Sequence, residues 1–151
     1  MFGTLISAEY SNSGNSLGNL YTVEAFRDDG GSLMVRVRES AVHSDPTVAR
    51  EYRAPEDLFD RISGIVDRAG MKEWGELPPS EFIAYDASTP SIRLTYENDD
   101  PDELLPKYLR YSFNDALPDG GKGAIHEIRD LMTSCAVEDN LIREYTEQNR
   151  R

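Results

Sequence analysis

From Thr4 to Tyr52 the chain alternates apolar and polar residues. Ile6, Ala8 and Tyr10 share one parity, as do Tyr21, Val23 and Ala25; Leu33, Val35 and Val37 alternate with Met34, Arg36 and Arg38. Period-two alternation predicts strands buried on one face, with the arginines of the third strand outside. RDDGGS at 27–32 joins the second and third strands, and Asp-Gly or Gly-Gly there supplies the positive φ of a tight hairpin. TVAREYRA at 47–54 predicts a fourth strand after the loop SAVHSDP.

The period then changes. In APEDLFDRISGIVDRAG, residues Leu58, Phe59, Ile62, Ile65 and Val66 lie three and four apart, the buried stripe of a helix. Pro55 suits its first position, Glu56 and Asp57 suit the positive end of its dipole, and Gly70 supplies a left-handed stop. Met71 is placed to fold back onto the last turn. KEWGELPPSE is irregular, because Gly75, Pro78 and Pro79 break any ladder. Alternation resumes at FIAYDAS, SIRLTYE and YLRYSF. A second amphipathic helix follows ALPDGGKG, with Ile125, Ile128, Leu131, Met132 and Cys135 on its buried face.

Runs of strands joined by short turns predict an antiparallel sheet, and two helices suit one covered face. The expected fold is therefore α+β: an antiparallel meander sheet of about seven strands with two amphipathic helices packed on one face. One domain is expected over residues 1–137. The polar tail 138–151 is expected to form at most a short helix through Leu141, Ile142 and Tyr145.

Composition narrows the function classes. The 151 residues include 16 Lys and Arg against 28 Asp and Glu, a net charge of −12. Such a chain repels phosphate backbones and anionic membranes, and attracts a basic protein. Nucleic acid is not expected as a partner. No apolar run approaches the length of a membrane span. MFGTLISAEYS carries neither a basic n-region nor a small-residue cleavage site, so no residue present reads as a signal peptide. A cytoplasmic protein is expected, or a secreted or surface-anchored one where a signal preceded this sequence. The single Cys135 excludes an internal disulfide and reads as a small buried hydrophobe.

Candidate chemistry is sparse. YSNSGNSLGNLY at 10–21 has the glycines of a phosphate loop, but Gly18 is followed by Asn19 and Leu20, where a Walker loop needs lysine and a hydroxyl. A β-like segment follows instead of a helix, so a strand connection is the better reading. His43 and His126 are the only histidines, and neither has a second ligand at metal-binding spacing. The carboxylates of ENDDPDE at 97–103 lack the glycine and alternation of a calcium loop. No metal or cofactor is expected, and no catalytic residue is assigned. Four residues are candidates for binding. Trp74, beside a Pro-Pro pair, either plugs the core edge or anchors a partner. Asp86, in an apolar-patterned strand, could pair with Arg93 across a hairpin or carry a raised pKa. His43, in the HSD turn, completes the set.

The segments Y-S-x-S-G, H-S-D-P, K-E-W-x-x-L-P-P-S, D-A-S-T-P-S, Y-S-F and A-L-P-D-G-G span most of the chain. Together they resemble small uncharacterised bacterial proteins, some of which follow an export or lipoprotein signal. The resemblance implies a bacterial origin and one intact domain, and attaches no reaction to any residue. Three functions fit the sequence. The first is a non-enzymatic binding or protein-interaction module. The second is an acidic inhibitor or immunity-type protein that docks a basic partner. The third is a small hydrolase using Asp86 or His43.

Overall fold

The computed structural model describes residues 2–12, 20–40, 47–75, 90–98, 100, 102, 105–112 and 117–147. Along the chain these form β1 (Phe2–Asn12), β2 (Leu20–Arg27), β3 (Leu33–Ser40), β4 (Thr47–Arg53) and α1 (Leu58–Ala69). After them come β5 (Ser91–Asn98), β6 (Lys107–Ser112), α2 (Gly121–Thr133) and β7 (Leu141–Glu147). All neighbouring strands are antiparallel, in the order β6-β5-β1-β2-β3-β4-β7. The fold is α+β, a seven-stranded antiparallel sheet with two helices.

The alternation of the first strands is what the sheet buries. Ala8, Tyr10, Val23, Ala25, Leu33, Val35 and Val37 enter one core with Ile92, Leu94, Leu109 and Tyr111. α1 closes it with Leu58, Phe59, Ile62, Ile65 and Val66. α2 adds Ala124, Ile125, Ile128 and Met132. Gly70 stops α1 in the left-handed region at φ 69°, donating its N–H to the Asp67 carbonyl at 3.2 Å. The next residue, Met71, is fully buried. Residues 55–57 form a turn ahead of α1, with the Leu58 N–H on the Pro55 carbonyl at 3.0 Å, so Pro55 precedes the helix by one turn. Between β2 and β3, Gly31 takes φ 85° and the Asp28 N–H bonds the Ser32 carbonyl at 2.9 Å.

Besides the place of Pro55, three expectations change. Ile6 is exposed and Leu5 is buried, because β1 slips its pairing with β5 between Phe2 and Leu5 and again between Leu5 and Ser7. Each slip moves the side chains to the other face. The tail expected to be a helix is instead a 3-10 turn, Glu138–Asn140, leading into β7, which pairs with β4 at the edge of the sheet. The seventh strand of the sheet is thus β7; FIAYDAS lies outside the described residues.

The helix layer does not extend over the whole sheet. Across one row of its face the residues run Tyr111, Ile92, Tyr10, Val23, Val37, Arg50, Glu144. The apolar run ends at β3. There Arg50 donates to Glu144 at 2.7 Å and approaches Glu39 at 3.9 Å. In this row ionic pairs take the place of apolar packing from β4 onward.

Candidate functional site

Among the described residues no helix lies on the opposite face of the sheet, which is mostly polar, with Phe26, Met34 and Ala49 among its apolar members. Antiparallel pairing sets one residue of each strand in a transverse row, and one such row is charged throughout: Arg110, Arg93, Glu9, Glu24, Arg36, Glu51, Arg143. A parallel row holds Ser112, Ser91, Ser11, Thr22, Arg38, Ala49 and Tyr145. The alternation of β3 predicts Arg36 and Arg38 on its outer face, and they lie there. The seven-residue row appears only once the register is known, because its members lie on seven separate strands.

From β2 to β7 the charged row is closely bonded. Arg36 donates to Glu24 at 3.0 Å and to Glu51 at 2.9 Å, and its guanidinium lies 4.2 Å from the centre of the Phe26 ring. Glu51, 7% exposed, also accepts from Arg143 at 3.1 Å and from the Tyr145 hydroxyl at 2.8 Å. Burial pushes the Glu51 carboxyl up, but the bonds from Tyr145 and Arg36 and the charges of Arg36 and Arg143 outweigh it and hold its pKa below 4.5. Glu24 shifts the other way. Burial, and Glu9 directly opposite on β1, raise its pKa despite Arg36.

The row has two like-charge steps, Arg110 beside Arg93 and Glu9 beside Glu24. Like charges directly opposite are destabilising in a sheet. Arg93, a predicted binding residue, is exposed here, with its guanidinium 5.7 Å from the Tyr108 ring centre. Trp74 faces inward at the core edge instead. Its indole N–H donates to the Ala69 carbonyl at 3.2 Å, and its ring meets Tyr111 edge-on at 4.9 Å. Arg93 and Trp74 therefore belong to different parts of the molecule. Asp86 and His43 lie outside the described residues, as does the centre of the opening glycine loop; its flanks, Asn12 and Tyr21, face each other across β1 and β2.

Charge is divided between the two layers. The face away from the helices carries six arginines, Arg36, Arg38, Arg53, Arg93, Arg110 and Arg143, against five glutamates, Glu9, Glu24, Glu51, Glu97 and Glu147. The helices with their flanking turns, residues 55–75 and 117–140, carry ten carboxylates against five cationic side chains. Among the described residues the sheet face is thus nearly balanced to weakly basic, whereas the helix layer is net acidic.

Between α1 and α2 the helix layer opens into a groove of about 620 Å³. Ile65 and Leu131 supply its apolar surface, Arg61 and Arg68 line the α1 side, and Glu127 and Asp130 the α2 side. Arg68 bridges to Glu127 across it. Gly64, mid-helix on this groove, has no atom within 4 Å of where a Cβ would stand. Glycine inside a helix costs about 1 kcal/mol relative to alanine, and here no close packing requires it. Cys135 is buried, with its thiol pKa raised by that burial.

No group of His, Cys, Asp and Glu that could hold a metal occurs among the described residues, and no described helix is long and apolar enough to cross a membrane. Compared with protein-family models, curated proteins and solved structures, the chain matches none.

Proposed function

We propose that this chain is a non-enzymatic protein-interaction module whose acidic helix layer receives a basic protein partner. The observation that carries the reading is the segregation of charge: ten carboxylates against five cations on the helices and their turns, opposite a weakly basic sheet face. Complementary charge speeds encounter and sets orientation. An evenly spread surplus would serve solubility alone. The groove between α1 and α2 gives that layer a concave, partly apolar centre flanked by charge, the anatomy of an interface core and rim. Gly64 leaves room there for close approach by a partner side chain.

The test uses an oligolysine peptide as the basic probe, with binding measured by calorimetry at low and high ionic strength. The wild type is expected to bind with marked salt dependence. A helix-layer variant, D60N/D67N/E127Q/D130N, is expected to weaken that binding by roughly tenfold or more. A sheet-face variant, E9Q/E147Q, should bind as the wild type does. Equal binding by the helix-layer variant and the wild type would overturn the proposal. So would a loss confined to the sheet-face variant.

A further inference from the structure

We infer that β7 pairs with β7 of a second copy of this chain, joining two sheets into one across a two-fold axis beside Tyr145. Among the described residues β7 is hydrogen-bonded to β4 alone, which leaves its other edge open. That edge is seven residues long and pairs regularly from Arg143 to Glu147. It has neither proline nor lysine, two of the usual devices against edge-to-edge pairing, and its charges, Arg143, Glu144 and Glu147, are of both signs. The opposite edge, β6, is different: Pro106 precedes it, and its only charges are Lys107 and Arg110. Two copies of β6 could bring only like charges together.

The sequence of β7 selects one register. A two-fold pair of identical antiparallel strands has its axis beside a residue that faces its own counterpart. An axis at Arg143 or at Glu144 would set like charges against each other. An axis at Thr146 sets Glu147 against Tyr145, and an axis at Ile142 sets Leu141 against Arg143. Only an axis at Tyr145 joins opposite charges, and symmetry makes it do so twice: Arg143 faces Glu147 of the second copy, and Glu147 faces its Arg143. Glu144 then faces Thr146 across the other face.

This register continues a pattern already present within the monomer. Arg143 is bonded to Glu51 at 3.1 Å, and Glu147 is bonded to Arg38 at 3.4 Å. Across the junction the order becomes Glu51, Arg143, then Glu147 and Arg38 of the second copy, with signs alternating throughout. Because Tyr145 faces its own counterpart, the axis runs perpendicular to the sheet and both helix layers lie on one side. Leu141 and Ile142, exposed at the start of β7, come to lie beside the end of the second copy's strand. The pairing concerns the sheet edge, so it stands or falls separately from binding at the helix layer.

Site-directed crosslinking tests the register. In a Cys135→Ala background, Tyr145→Cys is expected to give a disulfide-linked dimer under mild oxidation. Glu144→Cys and Thr146→Cys, each off the axis, are expected to stay uncrosslinked alone and to crosslink when mixed. Sedimentation velocity tests the charges. Arg143→Glu and Glu147→Arg should each shift the wild-type dimer to monomer, and R143E/E147R should restore it. Circular dichroism melts check folding, and Glu147→Arg covers the case in which Arg143→Glu unfolds by facing Glu51. A wild type monomeric at all concentrations would overturn the inference, as would equal self-crosslinking at positions 144, 145 and 146, or a double variant no more dimeric than the single ones.

Discussion

The Tyr145 hydroxyl on the edge strand donates a 2.8 Å hydrogen bond to the Glu51 carboxylate, which Arg36 and Arg143 also hold at 2.9 and 3.1 Å. One nearly buried carboxylate thus ties β3, β4 and β7 together on the face without helices. That tie fastens the last strand where no apolar layer covers it.

Removing the carboxylate should therefore be costly. Glu51→Ala leaves Arg36 with only Glu24 and strands the Tyr145 hydroxyl. Breaking a buried pair by deleting one partner costs about 3–5 kcal/mol; Arg36 keeps some solvent contact, so about 3 kcal/mol is expected from urea unfolding at neutral pH. The acid side provides a second measurement. The folded-state pKa of Glu51 lies below 4.5, so its stabilisation is complete above that value. It is lost as pH falls through the depressed pKa. The variant should show a smaller acid-side decline than the wild type, and an unchanged decline would show that Glu51 does not supply it.

Glu9 and Glu24 face each other directly across β1 and β2. The raised pKa of Glu24 means that the folded state holds its proton longer than the unfolded chain does. Stability then falls as pH rises from the ordinary 4.5 through the folded-state value. Glu9→Gln removes the facing charge. It should lower the Glu24 pKa in an NMR carboxyl titration and stabilise the neutral-pH protein by a few tenths of a kcal/mol, up to about 1. An unmoved Glu24 titration would leave burial as the whole cause of its shift.

Much of this architecture is legible in the sequence, and the reasons for the rest are physical. Val23, Ala25, Leu33, Val35 and Val37 announce their face because one side of each strand must leave water, and the helix of Leu58 to Val66 announces its stripe for the same reason. Ile6 misleads because the bulges in β1 leave no mark in composition. β7 misleads because it is exposed on both faces along most of its length. LIREYTE therefore has no alternating apolar set to display, and ionic contacts with β4 hold it. The charged row is hidden for a third reason. Arg110, Arg93, Glu9, Glu24, Arg36, Glu51 and Arg143 become neighbours only through register, which no local pattern encodes.

Tyr96 reaches into the core from β5, and its hydroxyl is buried without a hydrogen-bond partner. Burial, with Asp67 adding to it, pushes its pKa from 10.0 up to about 12; Ser63 pulls slightly the other way, without closing a hydrogen bond. The neutral phenol is the form the fold accepts, so stability should fall as pH rises between 10.0 and about 12. Tyr96→Phe removes an unsatisfied group and should be neutral or stabilising by about 1 kcal/mol. It should also reduce the alkaline decline, leaving the part due to Tyr21, Tyr111 and Tyr145, whose pKa values burial also raises. A loss above about 1 kcal/mol in thermal unfolding would mean that the hydroxyl has a partner.

Trp74 and Gly121 make the last case, because one explains the other. A Cβ at Gly121 would stand 3.0 Å from Cη2 of Trp74 and 3.2 Å from Cβ of Leu117. The indole is held by its bond to the Ala69 carbonyl and by the Tyr111 ring, so it cannot retreat freely. Gly121→Ala should cost about 1–3 kcal/mol through overpacking, even though alanine is the better helix former. In a Trp74→Leu background the same substitution should cost less, because the closest atom is gone, yet not zero, because Leu117 remains. A double-mutant cycle from urea unfolding reads that coupling directly. Equal costs in the two backgrounds would place the strain at Leu117 alone and leave Trp74 free to serve the surface.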